Sequence, residues 1–197
     1  LLVLDQAYHE YLTSEEQSDA STLLQKYPNL VITRTFSKAY GLAGLRIGYM
    51  IAHPDIASEV HKVRLPYNLN SFSQKVALKL LEYSHQNAAQ VSVILKERER
   101  IFQKLAQLDH IHPFPTDANF VLFRTADNPL NPVAEFAKNV AEFAKNSDKG
   151  DAECLFEHLL TKGILIRNLN RPGLLRNCLR VTVGTPEENN AFLNGIK

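Results

Sequence analysis

An α/β fold is predicted by three observations: short apolar runs that end in polar residues, amphipathic stretches of helical period between them, and proline or glycine at the junctions. Leu1-Leu2-Val3-Leu4 runs straight into Asp5 and reads as a strand buried on both faces. The carboxylate then sits at the strand's C-terminal edge, where open α/β sheets place their ligands. A helix around 21–27 separates this strand from a second at 29–36, and the two fit a parallel pairing. A third strand is expected at 45–52. Pro54 opens a helix at the position where its missing N–H costs nothing, with Ile56, Val60 and Val63 on one face. Ser71-x-x-Gln74 reads as a capping box for the next helix, whose expected buried face carries Phe72, Val76 and Leu80.

A long amphipathic helix follows at about 86–108, with Val91, Ile94, Ile101, Phe102 and Leu105 among its inward residues. It is expected to bridge two domains, 1–84 and 85–197. Beyond Pro113 and Pro115 the pattern predicts a small α/β domain, with strands at 119–123, 164–167 and 179–183 and a helix near 153–162. Thr185-Pro186-Glu187-Glu188 reads as N-cap, N1, N2 and N3 of the last helix. In the stretch 128–151, Val-Ala-Glu-Phe-Ala-Lys-Asn occurs twice in tandem, at 133–139 and 140–146. This spacing gives Val133, Phe136, Val140 and Phe143 one apolar stripe, and a surface helix is expected.

The chemistry concentrates at Thr35-Phe36-Ser37-Lys38 with Arg46 eight residues on. A lysine at a strand end is ordinarily a solvated cation. Here two hydroxyls spaced two apart on an extended segment project to one side, and Arg46 offers planar bidentate donors suited to phosphate. An amine that can form a Schiff base, beside phosphate-holding groups, is what a pyridoxal phosphate enzyme requires. Gly41, Gly44 and Gly48 are spaced wrongly for a dinucleotide fingerprint or a Walker loop, which argues against nucleotide binding. Upstream, Asp5 can keep a pyridinium nitrogen protonated and Tyr8 can donate to a phenolic oxygen. A helix N-cap for Asp5 and a half-buried core position for Tyr8 are the plain alternatives.

Asp5-x-x-Tyr8, Thr35-x-Ser37-Lys38 and Arg46 resemble the fold-type I pyridoxal phosphate aminotransferases of the class I/II group, and within it the histidinol-phosphate aminotransferases. The stretch from Ser37 through Gly48 to Tyr49 resembles the family's cofactor-lysine segment almost continuously. Arg64-x-Pro66-Tyr67-Asn68-Leu69-Asn70-Ser71, Ala118-Asn119-Phe120-Val121 and the run from Leu179 to Asn189 resemble later landmarks in the family's order. Two departures stand out: Gln6, where the family commonly has Glu, and the tandem heptads.

The resemblance implies the C-terminal part of the large pyridoxal phosphate domain followed by the small α/β domain. It also implies residue roles. Lys38 bonds the cofactor and moves the proton, Asp5 pairs with the ring nitrogen, and Tyr8 bonds the phenolic oxygen. Thr35, Ser37 and Arg46 hold the phosphate, Arg180 receives the substrate α-carboxylate, and Arg167 faces the substrate's phosphate end. The implied reaction is amino transfer between L-histidinol phosphate and 2-oxoglutarate in histidine biosynthesis, by a cytoplasmic homodimer. Aromatic transamination and threonine-phosphate decarboxylation are the enzymatic alternatives, and an inactive interaction module is the third. Fold-type I enzymes are considerably longer than 197 residues, so the chain reads as the C-terminal part of a larger polypeptide. A glycine-rich phosphate cradle, a ring-stacking residue and an asparagine beside Tyr8 are then expected upstream of Leu1.

Composition sets outer limits. A net charge of +1 gives no reason to expect a nucleic-acid or membrane partner. Cys154 and Cys178 form no CxxC pattern and are expected to be inert thiols of a reducing compartment. The seven histidines form no i, i+4 pair, and no metal site is expected.

Overall fold

Continuous runs of aliphatic residues favour extended backbone, and two such runs pair side by side in the first half of the chain. Strand β1 (Leu2–Asp5) lies parallel to β2 (Leu30–Thr35), with Leu2 opposite Leu30 and Asp5 opposite Thr33. Helix α1 (Ala20–Lys26) connects them, as a parallel pair requires. Strand β3 (Gly48–Ala52) runs antiparallel on the other side of β2. The computed structural model describes residues 1–12, 20–125 and 151–197, so the tandem heptads at 133–146 lie outside the described residues. Two compact units are formed, Leu1–Ser92 and Val93–Lys197, with the division inside helix α4 described below.

In the first unit β2 is the buried strand. Leu30, Val31 and Ile32 are withdrawn from solvent, and Leu23 and Leu24 of α1 pack against Leu30 and Ile32. The expectation that β1 is buried on both faces does not hold. Leu2 and Val3 alternate across the sheet yet are 62% and 57% exposed. In the three-stranded sheet of this chain β1 is the outer strand and its faces are left largely uncovered, whereas Leu23 and Leu24 of α1 cover β2.

Helix α2 (Pro54–Val63) begins with Pro54 in its first turn, as predicted, and His53 caps it by accepting from the Asp55 amide. Of its apolar stripe Ile56 is half-buried, while Val60 and Val63 are exposed. The predicted capping box of helix α3 (Ser71–Leu81) is corrected by one residue. Asn70 is the cap, its Oδ1 accepting from the Ser73 amide at 2.8 Å, while Gln74 donates to the Leu69 carbonyl. The buried face turns accordingly: Ser73 and Ala77 face inward, and Phe72 is exposed. Helix α4 (Ser84–Ala106) carries Val91, Ile101 and Leu105 buried at the expected helical spacing.

The second unit folds a four-stranded antiparallel sheet, order β4-β5-β7-β6, from β4 (Ile111–Pro113), β5 (Phe120–Thr125), β6 (Arg167–Asn168) and β7 (Cys178–Thr182). Helix α5 (Asp151–Thr161), the second half of α4 and helix α6 (Pro186–Gly195) supply the rest of one core. That core is built on Val121, Phe123, Leu155, Leu159, Leu179 and Phe192, each almost wholly buried. Strand 164–167 is shorter than its apolar content suggested, because only Arg167 and Asn168 find ladder partners on β7.

The capping box at α6 forms as predicted: Thr185 Oγ1 accepts from the Glu188 amide at 3.3 Å, and Glu188 Oε2 accepts from the Thr185 amide at 2.8 Å. Both groups satisfy amides that the helix cannot. Thr185→Ala is expected to lower the stability of the second unit by about 1 kcal/mol, read as a shift in the urea midpoint without a change in slope. Glu97 of α4 accepts from Arg100 at 2.6 Å and from the buried Asn189 at 2.8 Å, which ties α6 to α4. Its carboxyl is held below the usual range, first by the Arg100 hydrogen bond.

Candidate active site

The loop from Phe36 to Ile47 is fixed at its base by main-chain bonds. The Phe36 amide donates to the Ile47 carbonyl at 3.1 Å, and the Phe36 carbonyl accepts from the Leu42 amide at 3.0 Å. The Phe36 ring packs on Tyr40 and Tyr49 at centroid separations of 5.0 and 5.7 Å. Gly41, at φ +68°, closes the turn by donating its amide to the Lys38 carbonyl. Ala39 and Ile47 are buried while Lys38 is exposed, so the amine stands out from an anchored loop. A Cβ on Gly48 would lie 2.7 Å from the Arg34 carbonyl, so the return strand needs glycine there to approach β2.

Thr35 and Ser37 are related differently from strand alternation. Strand β2 ends at Thr35, and Ser37 lies in the bend beyond it. Thr35 Oγ1 accepts from the Ser37 amide at 3.0 Å and donates to the Ile47 carbonyl at 3.3 Å. The threonine hydroxyl therefore organises the turn. Arg46 occupies the left-handed region at φ +55°, ψ +45°, which costs a non-glycine residue about 1–3 kcal/mol and occurs preferentially at functional sites. Its Nη1 donates to the Ala43 carbonyl at 3.1 Å. Asp5 Oδ1 accepts from the Ala7 amide at 3.0 Å, which sets the carboxylate at the end of β1.

These residues share one open depression of about 450 Å³, lined by Asp5, Thr35, Ser37, Lys38 and Arg46, with Arg34 and Gly48 on the same wall. Tyr8 lies beside it, with Lys38 Nζ 5.5 Å from the centroid of its ring. Six residues selected from sequence are thus brought together. The parallel register explains how: Asp5 is opposite Thr33, so β1 ends two residues before β2 does at Thr35, and Ser37 and Lys38 follow just beyond. The depression offers an amine, a carboxylate, two hydroxyls and a guanidinium, a donor set that fits a phosphorylated pyridine aldehyde.

Arg167 and Arg180 belong to the second unit and are opposite one another on β6 and β7. The Arg180 guanidinium carbon stands 4.7 Å from the Phe120 ring centroid, a cation–π arrangement. Its Nε is buried and finds no hydrogen-bond acceptor among the described residues. Arg167 is exposed.

Sequence reasoning did not select Arg34. Its Nε and Nη2 both donate to Gln6 Oε1, at 3.1 and 2.9 Å. The pair is separated by 28 residues, and only the sheet register brings it together. Around it, burial and then the Arg34 charge lower the His9 imidazole. Burial raises the Tyr40 hydroxyl, with Arg34 opposing the shift. Burial, assisted by Glu10 and Tyr8, pushes Tyr11 up to about 12.

The family model for aminotransferase class I and II matches residues 1–196. The chain belongs to that family, and its fold is the fold type I that the resemblance implied. Within the family, it is similar to the histidinol-phosphate aminotransferase of Vesicomyosocius okutanii subsp. Calyptogena okutanii, 38% identical over all of this chain and 48% of that protein. Among solved structures it is similar to histidinol-phosphate aminotransferase from Sinorhizobium meliloti in complex with pyridoxal-5'-phosphate, with a TM-score of 0.77 and 27% identity over 100% of this chain and 47% of the other. It is also similar to L-threonine-O-3-phosphate decarboxylase from Porphyromonas gingivalis, with a TM-score of 0.76 and 26% identity over 98% and 53%. The chain spans about half the length of the curated relatives it matches.

Proposed function

We propose that this chain carries the lysine-bearing wall of a pyridoxal phosphate site in a transaminase that exchanges an amino group between L-histidinol phosphate and 2-oxoglutarate, in histidine biosynthesis. The observation that carries the reading is the convergence of Lys38, Asp5, Ser37 and Arg46 on one depression at the C-terminal ends of two parallel strands. Pyridoxal phosphate, when bound, supplies an electron sink for negative charge developing at the substrate Cα.

The protein's part is positional and acid–base. Lys38 Nζ would hold the cofactor and would move the proton at the substrate Cα. Asp5 holds a proton on the ring nitrogen, favoured by its negative charge. The Tyr8 hydroxyl donates to the phenolic oxygen. Ser37 and Arg46 hold the phosphate, and Thr35 supports them through the turn it organises. Arg180 receives the substrate α-carboxylate, a role that suits the bidentate geometry of guanidinium with carboxylate. Arg167, its cross-strand neighbour, faces the phosphate end of the substrate.

Our reading extends to a cytoplasmic homodimer. The thiols of Cys154 and Cys178 are buried and not joined in a disulfide, which supports a reducing compartment. The exposed apolar residues Val63, Leu65, Phe72 and Leu78 in the first unit support burial in an assembly.

The test is a spectral titration of the cofactor-loaded chain, alone and with the complementary N-terminal half of a curated relative. Histidinol phosphate is expected to convert the cofactor to its amino form, and 2-oxoglutarate to restore it. Silence with histidinol phosphate but conversion with tyrosine would move the reading to aromatic transamination. Carbon dioxide release from threonine phosphate would move it to decarboxylation.

A further inference from the structure

Strand alternation sorts the side chains of the first unit's sheet onto two faces. Gln6 and Arg34 direct theirs to one face, where Gln6 Oε1 accepts from the guanidinium. Asp5, Thr33 and Thr35 direct theirs to the other, and all three line the depression. The two threonines of that face are used differently. Thr35 spends its hydroxyl in both directions, accepting from the Ser37 amide and donating to the Ile47 carbonyl. Thr33 is half-buried, and its hydroxyl has no hydrogen-bond partner among the described residues. A hydroxyl carries one donor and two acceptor positions, so this one keeps its full capacity.

Thr33 is the direct cross-strand partner of Asp5. Paired residues of a ladder project to the same face from strands about 4.8 Å apart. A hydroxyl oxygen one bond from its Cβ and a carboxylate oxygen two bonds from its own can meet across that gap by rotation about single bonds. The ionised carboxylate is a pure acceptor. Among the described residues only its Oδ1 is engaged, by the Ala7 amide at 3.0 Å. One hydrogen bond leaves the group free to turn about that contact, whereas a second donor fixes its plane.

We propose that Thr33 is a positioning residue for Asp5: its hydroxyl donates to the carboxylate from across the sheet and, together with the Ala7 amide, aims the remaining lone pairs at the ring nitrogen of a pyridine ligand. This rests on the reading above, in which Asp5 pairs with that nitrogen. Thr33 acts through Asp5, and the phosphate is held without it.

Two variants test it. Thr33→Val exchanges the hydroxyl for a methyl and keeps a β-branched strand residue, while Thr33→Ser keeps the hydroxyl. Side-chain couplings measured by NMR on the unloaded chain are expected to show Asp5 in a single χ1 rotamer in the parent and in Thr33→Ser, and averaged between rotamers in Thr33→Val. Calorimetric titration supplies an independent readout. Pyridoxamine 5'-phosphate carries the ring nitrogen and needs no bond to Lys38. It should bind Thr33→Val about two- to tenfold more weakly than the parent, the loss expected for one aligned hydrogen bond, with the parent Kd restored in Thr33→Ser. Inorganic phosphate has no ring nitrogen, so its Kd should be the same for all three chains. Asp5 averaged already in the parent, a single Asp5 rotamer in Thr33→Val, an equal loss of affinity for both ligands, or a Thr33→Ser chain that behaves as Thr33→Val overturns this inference alone. A parent chain that binds neither ligand and gives no borohydride-trapped pyridoxal phosphate adduct at Lys38 overturns the functional reading and this inference together.

Discussion

Lys38→Ala is expected to abolish the borohydride-trapped pyridoxal phosphate adduct, with peptide mapping of the parent placing the adduct on Lys38 alone. Lys38 is the one lysine among the residues that line the depression, and it projects from a loop whose base is fixed by both main-chain groups of Phe36. Other exposed lysines, such as Lys62 and Lys79, are engaged by Glu59 and Glu82 on helix surfaces. Lys38→Arg sharpens the test. It keeps a positive charge but offers a group that stays protonated and is no nucleophile, so phosphate affinity should persist while the adduct disappears. If Lys38 moves the proton as proposed, its loss should also lower turnover by roughly 10²–10⁴-fold or more. An adduct of equal yield in Lys38→Ala would place the cofactor elsewhere.

Phe123→Ala carries the second large effect, on stability. Phe123 is wholly buried at the centre of β5, with its ring 6.2 Å from that of Phe192 on α6. Removing it leaves a cavity between sheet and helix, and the expected loss is about 3–5 kcal/mol for the second unit. Hydrogen exchange resolved by residue is the suitable measurement, because β5 and β7 should lose protection while β2 keeps it. Phe72→Ala, at an exposed position of α3, should change the stability of the chain by no more than about 0.5 kcal/mol. Equal effects at the two positions would contradict the burial assignments.

Local signals were legible where a few neighbouring residues decide the outcome. Thr185-Pro186-Glu187-Glu188 forms the cap it spells, since all of its partners lie within one helical turn. Pro54 starts α2 for the same reason. At α3 two adjacent residues, Asn70 and Ser71, could each serve as cap, and Asn70 prevails because its amide side chain meets both the amide and the hydroxyl of Ser73. The apolar content of Leu2 and Val3 spoke for burial, but content does not say whether other elements cover the faces of the strand.

The site shows the same division. Lys38, Thr35, Ser37 and Arg46 stand within one short segment, so their association could be read along the chain, and Asp5 and Tyr8 entered as a second local pattern. The Gln6–Arg34 clamp was invisible because nothing in either residue's neighbourhood points to the other.

By itself the sequence determined the α/β class, the alternation of strands and helices, and the cluster of groups able to hold a phosphorylated aldehyde. These depend on side-chain periodicity and chemistry over a few residues. Only the tertiary structure decided that β1 is an exposed edge and that Thr35 spends its hydroxyl on the turn. It also decided that the Arg34 guanidinium is held by Gln6, 28 residues away in the chain. Those outcomes depend on register and layer order, and register is set by many weak contacts acting together across residues distant in the chain.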